Sequence, residues 1–405
     1  MQDFFLRLKN TVQTYVWGSF DGIPAFTGLV NTDDEPMAEL WMGAHPAAPS
    51  KILGAKGATM PLDAYIAEHP VDILGKKTLD RYGPTFPFLF KVLSASNPLS
   101  LQVHPTKAQA QEGFDRENAA GIPILSPNRN YKDSNHKQEV LLALTPFTAM
   151  CGFRDPAETR ALLGAVDSPS LSVAIEHLDR DGYGAFCRYL LELPAEIKID
   201  TLQTVIAANR ESMSADAKRS FSLVERLFIH YKGDIGCLAP LYLNVLSLQP
   251  GEVIYLPEGI MHTYIHGTGL ELMSNSDNTL RGGLTAKHLD IPELLKILNV
   301  APYKPAVIRP DATVKPFTYR TEAHDCELTA IRLAEGSFTY RADAPAIAIG
   351  ATGEIVASLA SGESCAICRG SVVLIPANGE QISLSGTGVC YMASLPGTLT
   401  NDALD

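Results

Sequence analysis

Features that mark several other classes of protein are missing from this sequence of 405 residues. No apolar run approaches the roughly 18 residues that a membrane-spanning helix needs. The first ten residues contain neither a basic nor an apolar segment, so no secretory signal is visible. Positive charge is also scarce, since 33 lysines and arginines against 45 acidic residues give a net charge of -12. This balance argues against nucleic acid or an anionic membrane as a partner.

Cysteine is sparse, with seven residues at irregular spacing. An odd, scattered set is typical of reduced thiols inside a cell rather than of a disulfide framework. Cys365 and Cys368 form a CxxC, but no second Cys or His pair accompanies it and it lies in a strand-like run. We therefore interpret this pair as structural rather than as a redox or zinc site. We expect a cytoplasmic protein that is a monomer.

Three regions of different character indicate a mainly β protein with a helical insertion. Residues 155–233 show helical periodicity and begin with Asp155-Pro156, a typical N-cap and first helical residue. Residues 1–154 and 234–309 are rich in strand signals and are expected to form one catalytic β domain around that insertion. Residues 310–405 contain short alternating runs and glycine turns, which predict a second β domain. A further helix is predicted over residues 288–298.

The first candidate metal-binding stretch is residues 97–105, which run from an Asn-Pro turn signal to a proline stop. Leu101 and Val103 alternate there with Gln102 and His104. A strand would place the carboxamide and the imidazole on one face, with the apolar side chains on the other. Taken alone, this stretch is explained better by an ordinary half-buried strand than by a metal site.

Two later stretches supply the ligands that this strand lacks. Glu139 opens a strand-like run over residues 140–144, and His262 follows the corner Pro257-x-Gly259. A thiol-free set of two His, one carboxylate and one neutral oxygen is more typical of a catalytic metal site than of a structural one. The same donors suit Zn²⁺, Fe²⁺ and Mn²⁺. The candidate ligands are Gln102, His104, Glu139 and His262.

Residues 370–376 repeat the Gly-x5-Pro spacing of residues 251–257, but no histidine follows them. We interpret this as a degenerate internal repeat, and hence expect the C-terminal β domain to have no ligands.

Basic residues lie close to the ligand stretches despite the acidic total. Lys137 precedes Glu139 by two positions, so both would lie on one face of a strand. Arg281 stands before two glycines, which would allow close approach to an anion, and Lys287 follows. Solvated surface lysines are the simpler explanation. A metal together with these cations would suit a phosphorylated or carboxylated small substrate.

The motif Gly251-x5-Pro257-x-Gly259-x2-His262 resembles the second motif of the cupins, which are small β-barrels or jelly rolls. Further motifs in the same chain order are similar to those of type I mannose-6-phosphate isomerases over about residues 10–300. Beyond residue 310 the resemblance rests on the expected β domain. The motifs are Trp17-Gly18, residues 39–45 (ELWMGAH), residues 101–105 (LQVHP), Lys137-Gln138-Glu139 and residues 275–283.

This resemblance implies two cupin-type jelly-roll domains and an α-helical domain. It also implies a zinc-dependent isomerase that interconverts D-mannose 6-phosphate and D-fructose 6-phosphate through an enediol or enediolate. Such an enzyme serves mannose metabolism or GDP-mannose biosynthesis. The family's single zinc ion would be held by Gln102, His104, Glu139 and His262.

The resemblance also suggests catalytic roles. Arg281 would stabilise the enediolate or the phosphate. Lys137 is our first candidate for the base that moves a proton between C1 and C2, because a nearby dication and Arg281 disfavour its charged form. His136 or Asp277 would open the pyranose ring. Residues expected to line the sugar-phosphate pocket are Ser100, Lys287 and Trp17.

Two functions of other classes stay open. A cupin-type iron dioxygenase could use the same stretches, although such sites usually offer three His and one Glu, and Gln102 disfavours this. A non-catalytic sugar-binding cupin would account for the degenerate repeat, although the complete ligand set argues against it.

Overall fold

Two antiparallel sheets of ten strands each form the framework of the chain in a computed structural model. The structure describes residues 4–54, 57–311, 313 and 316–399. The first three residues of the predicted N-terminal domain and residues 400–405 of the C-terminal one lie outside these ranges. Neither sheet closes into a barrel within the described part of the chain. The mainly β class with helices is confirmed, whereas the jelly-roll topology stays a prediction.

The strands follow in chain order: β1 (Leu6–Lys9), β2 (Thr11–Gln13), β3 (Glu39–Met42), β4 (Lys51–Leu53), β5 (Thr59–Pro61), β6 (Phe88–Ala95), β7 (Leu101–Val103), β8 (Glu139–Ala143), β9 (Phe147–Phe153), β10 (Leu243–Leu248), β11 (Val253–Leu256), β12 (His262–Ser274), β13 (Leu280–Gly283), β14 (Phe317–Tyr319), β15 (Glu327–Leu333), β16 (Ser337–Arg341), β17 (Ala346–Leu359), β18 (Ser364–Cys368), β19 (Val372–Ile375) and β20 (Gln381–Ser394).

The helices are α1 (Gly22–Thr27), α2 (Leu62–Glu68), α3 (Pro70–Tyr82), α4 (Lys107–Ala119), α5 (Pro156–Gly164), α6 (Pro169–Glu192), α7 (Ala195–Ala207), α8 (Ala215–His230), α9 (Ala239–Tyr242) and α10 (Ile291–Ile297). A 3-10 turn over Ile235–Leu238 precedes α9. None of the described helices is both long enough and apolar enough to cross a membrane.

The first sheet has the strand order β14-β15-β20-β17-β19-β1-β4-β5, with β16 beside β20 and β18 beside β17. It combines C-terminal strands with three from the N-terminal segment, since Leu6 of β1 lies opposite Leu374 of β19. The division of the chain into three domains therefore stays an interpretation.

The second sheet carries the candidate site. Its order is β10-β9-β12-β6-β3-β2, with β8 between β11 and β12, and with β7 between β12 and β13. Strand β12 pairs first with β9 and then with β6 and β8. Gly267 lies where the pairing changes, with φ of 127°, and a Cβ there would come 2.8 Å from Pro146 O. Glycine is therefore needed for this long strand to reach all of its partners.

The predicted helical insertion lies between β9 and β10, as α5 to α9. Its first helix begins as expected, because the Asp155 side chain accepts a hydrogen bond from Ala157 N and Pro156 occupies the first turn. The helices share one core with the site sheet, since Phe186 and Phe221 cluster with Leu101 of β7. The back of the ligand-bearing strand is thus packed against the insertion.

The two halves of the suspected repeat have the same local structure. Gly251 and Gly370 have φ of 90° and 74°, and each precedes a four-residue strand, β11 or β19.

The helix predicted over residues 288–298 was too long at its start. It begins at Ile291 because the Asp290 side chain caps it by accepting from Glu293 N.

Candidate metal centre and active site

Three of the four candidate metal ligands meet in one buried cluster. One ligand atom each from His104, Glu139 and His262 lie within 4.8 Å of one another. His104 Nε2 is 3.2 Å from Glu139 Oε1, and His262 Nε2 is 3.2 Å from Glu139 Oε2. Two imidazoles therefore face the two oxygens of a single carboxylate.

Main-chain carbonyls fix the orientation of both rings. His104 Nδ1 donates to Asn278 O at 2.8 Å, and His262 Nδ1 donates to Ile260 O at 2.9 Å. Both Nε2 atoms therefore present lone pairs to the centre of the cluster, the usual arrangement of metal-binding histidines. His104 Nε2 is buried and makes no hydrogen bond with any described residue. An unpartnered buried acceptor of this kind fits a metal ligand.

The charge states suit a dication. Burial, followed by the charge of Lys137, lowers the pKa of His104 to about 4, so the ring is neutral near pH 7. Burial raises the pKa of Glu139, but Lys137 and His104 outweigh that effect and hold it well below its usual range. Glu139 Oε1 lies 2.8 Å from Lys137 Nζ. The cluster thus offers two imidazole nitrogens and one carboxylate, which is a suitable donor set for zinc.

Gln102 lies at the centre of three neighbouring strands. On β7 it is opposite His262 of β12 and also opposite Arg281 of β13. Directly opposed residues project from the same face of a sheet, so these three side chains are neighbours. Gln102 also lines a small cavity of about 40 Å³ together with Glu139 and His262. This placement is compatible with a fourth ligand, and the ligation itself stays a prediction.

The floor of the site contains charges that the sequence analysis did not assign. Lys91 is buried, with Nζ 3.0 Å from Glu271 Oε2 and 3.4 Å from Glu39 Oε1. The two carboxylates raise the pKa of Lys91 despite its burial, so it is charged. Tyr264 donates to Glu139 Oε2 at 3.3 Å and connects this floor with the ligands. A single charge within an apolar strand, as at Lys91 and Glu271, is the sequence signal that could have identified them.

Arg281, Lys132 and Lys287 form a group of cations beside the site. No described carboxylate forms an ion pair with Arg281, Lys132 or Lys287. Burial lowers the pKa of Arg281. Burial, followed by the charges of Arg281 and Lys132, lowers the pKa of Lys287. Because the charges of Arg281 and Lys132 act on Lys287 only from nearby, the three side chains form a cationic group able to bind an anion.

Asp277 lies on a loop that Asn278 and Asp133 hold together. Asn278 Nδ2 donates to Asp133 O at 2.7 Å, and Asp277 N donates to Asp133 Oδ2 at 2.8 Å. The same loop supplies the carbonyl that orients His104. The position of Asp277 is therefore coupled to the ligand cluster.

His136 occupies a different environment from Lys137. Its Nδ1 lies 2.6 Å from Glu258 Oε1 and its Nε2 lies 2.6 Å from Asp325 Oδ2. Burial lowers the pKa of His136, but the two carboxylates outweigh it and raise that pKa to about 9. Both ring nitrogens therefore bind carboxylates, one of which belongs to the C-terminal region. Its predicted part in ring opening would require one of these bonds to break.

The remaining predicted residues lie around the site. Trp17 is half-buried and stacks on Tyr15 with ring centroids 5.7 Å apart. Burial raises the pKa of Tyr15, and the charges of Glu39 and Asp277 add to that, so this aromatic pair lies near the acidic groups of the site. Ser100 is half-buried beside β7, and no described contact joins it to the ligand cluster. The roles of Ser100 and Trp17 stay predictions.

The chain is similar to one family of isomerases. A model of the phosphomannose isomerase type I catalytic domain matches residues 5–156. The mannose-6-phosphate isomerase of Salmonella typhimurium is 41% identical over 302 residues, covering 74% of this chain and 76% of that protein. The Homo sapiens enzyme is 34% identical and covers 73% of each chain.

Solved structures agree with these relatives. A zinc-bound mannose 6-phosphate isomerase has a TM-score of 0.87 and 35% identity, covering 96% of this chain and 99% of that one. The apo form from Salmonella typhimurium has the same TM-score at 34% identity. These similarities favour an isomerase over the dioxygenase and the non-catalytic sugar-binding cupin.

Proposed function

This chain belongs to the type I phosphomannose isomerase family, and we propose that it interconverts D-mannose 6-phosphate and D-fructose 6-phosphate. The observation that carries the proposal is the buried cluster of His104, Glu139 and His262, in which one ligand atom from each lies within 4.8 Å of the others and His104 Nε2 has no hydrogen-bond partner among the described residues. With Gln102 as the fourth ligand, these residues would hold one zinc ion. Bound zinc supplies a Lewis acid that stabilises negative charge developing on sugar oxygens.

Lys137 is the proposed base for the isomerisation. Moving a carbonyl between C1 and C2 requires removal of a proton α to the carbonyl and its return to the neighbouring carbon. The Lys137 side chain is 10% exposed, and its Nζ contacts the ligand Glu139 at 2.8 Å. A substrate whose C1 and C2 oxygens face the ligand cluster would therefore bring the transferred proton close to this amine.

Arg281, Lys132 and Lys287 are the proposed anion-binding group. A phosphate dianion would satisfy cations that have no carboxylate partner among the described residues. Arg281 is also opposite Gln102 across the sheet. It is therefore suited to stabilise either the phosphate or the developing enediolate, and Trp17 with Tyr15 would offer an aromatic surface to the sugar.

Asp277 is the better candidate for opening the pyranose ring. Its side chain is 38% exposed, whereas both nitrogens of His136 already bind carboxylates. Burial raises the pKa of Asp277, but His45, Lys132 and Lys137 lower it by more, so this carboxylate is ionised and able to accept a proton. We still predict that the protein is a cytoplasmic monomer. Its predicted role is in mannose use or in GDP-mannose supply.

The test is turnover of mannose 6-phosphate to fructose 6-phosphate, measured before chelation, after chelation and after zinc is restored. We expect one zinc ion per chain, loss of activity on chelation, and recovery with zinc. Magnesium, which prefers all-oxygen octahedral sites, serves as the control ion and should not restore activity. A folded, zinc-loaded protein that fails to convert the substrate would contradict the proposal.

A further inference from the structure

The stretch from Glu39 to His45 has no role in the function proposed so far, although it lies against the site. It begins in β3, whose Trp41 is opposite Lys91 of β6. Trp41 Nε1 donates to Glu39 Oε2 at 2.7 Å. The ring of Trp41 packs edge-on against that of His45, with centroids 4.8 Å apart. His45 is therefore held against the floor of the site.

His45 presents one ring nitrogen to Asp277. Its Nδ1 accepts a hydrogen bond from Ala47 N at 3.2 Å, so the proton of the neutral ring is on Nε2. Nε2 lies 3.4 Å from Asp277 Oδ1. The His45 side chain is 6% exposed, while that of Asp277 is 38% exposed. A buried donor with a fixed tautomer thus stands behind a carboxylate that is open to substrate.

We infer that His45 is a positioning residue that holds the Asp277 carboxylate in the orientation required for ring opening. In that step Asp277 takes the proton from the hydroxyl on C1, and the electron pair of the O–H bond forms the C1 carbonyl. The C1–O5 bond breaks, and the ring oxygen leaves with its electron pair and takes a proton from solvent water. Asp277 then returns its own proton to solvent, so the step is balanced. This inference rests on the proposed function.

Other groups hold the backbone of Asp277 or act electrostatically on its carboxylate. Asp133 Oδ2 accepts from the main-chain N of Asp277 and holds the loop. Besides His45, the charges of Lys132 and Lys137 act on the carboxylate, and the carboxylate in turn acts on the nearby Tyr15. Among these groups, His45 is the one whose ring nitrogen directly contacts a carboxylate oxygen of Asp277.

The experiment compares His45→Phe with His45→Gln in the zinc-loaded enzyme. Phenylalanine retains the packing on Trp41 without a donor, whereas the glutamine amide can still donate to Asp277. For His45→Phe we expect kcat to fall about tenfold with little change in KM. For His45→Gln we expect most of the wild-type kcat to be retained. Because the contact with His45 lowers the pKa of Asp277, its loss raises that pKa. The acid limb of kcat/KM should therefore move to higher pH in His45→Phe.

A double variant separates positioning from general packing. His45→Phe should not reduce kcat further in the Asp277→Asn background, because His45 acts through the Asp277 carboxylate, which that background lacks. The exposed His230 on α8 provides the control, since His230→Phe should leave the kinetics unchanged. If His45→Phe does not fold, His45→Leu has the same expected result with a smaller side chain.

The outcomes separate this inference from the function on which it rests. A wild-type enzyme without turnover overturns the proposed function. An active wild type with an unaltered kcat and pH profile in His45→Phe overturns the inference alone, as does a further loss in the double variant.

Discussion

Replacing Lys91 with methionine would reveal how the floor of the site is stabilised. The Lys91 side chain is 6% exposed, and those of its partners Glu39 and Glu271 are 9% and 4% exposed. Methionine fills a similar volume but leaves two buried carboxylates without their cation. Removal of one partner from a buried ion pair typically costs about 3–5 kcal/mol. We expect a loss of about 3 kcal/mol in the free energy of unfolding at pH 8, the lower end of that range.

The loss should depend on pH because Glu271 can take up a proton. Burial raises the pKa of Glu271, and Lys91 opposes that rise, so the substitution raises the pKa further. A carboxyl whose folded pKa exceeds its unfolded one stabilises the folded state at low pH and loses that contribution as the pH rises through the folded pKa. Each unit of this difference corresponds to about 1.4 kcal/mol. The variant should therefore be less destabilised at pH 5 than at pH 8.

Urea unfolding of zinc-free protein at both pH values, followed by tryptophan fluorescence, measures this effect without a contribution from metal binding. Lys76→Met is the matched control, because Lys76 Nζ lies 2.8 Å from Asp80 Oδ2 but its side chain is 80% exposed. The control should change stability by less than about 0.5 kcal/mol. Equal effects of the two substitutions, or a Lys91→Met effect that is the same at pH 5 and pH 8, would refute the reasoning.

Two further predictions concern the base and the backbone of the site sheet. Lys137→Met should retain zinc but lose at least about 100-fold in kcat and in the exchange of the C2 proton with solvent, because no amine is then present to take that proton. Lys198→Met in the helical insertion is the control. Undiminished proton exchange in Lys137→Met would exclude Lys137 as the base. Gly152→Ala should cost at least about 2 kcal/mol, because φ is 69° and the new Cβ would lie 2.1 Å from Tyr303 O. Gly164→Ala, whose Cβ would meet only Ile175 at 4.0 Å, should change stability by less than about 1 kcal/mol, and equal urea midpoints for both variants would contradict this account.

Local patterns predicted much of the ligand-bearing framework. The alternation of Leu101 and Val103 with Gln102 predicted a strand, and β7 is that strand with both apolar residues buried. The Asp155-Pro156 start of α5 is also as predicted, because capping involves residues that are adjacent in the chain. The helix after β13 was predicted to begin at residue 288, but it begins at Ile291. The predicted start was wrong because the Asp290 side chain caps the helix just before Ile291.

Other parts of the site depend on pairing between distant segments. Lys91 and Glu271 are separated by 180 positions, and they meet because the register of β6 and β12 places them opposite each other. His45 and Asp277 meet through loops on different strands of the same sheet. Neither contact has a local pattern, so sequence spacing could not reveal it. The single charge in an otherwise apolar strand was the one sign that a partner existed.

The amino-acid sequence by itself determined which side chains could bind a metal, which segments would be strands or helices, and which family the chain resembles. These follow from side-chain chemistry and short-range periodicity. Only the tertiary structure decided that both imidazoles face one carboxylate, that His136 binds two other carboxylates, and that Asp277 lies against His45. The physical reason is that strand register and loop packing set distances of a few ångströms between residues far apart in the chain.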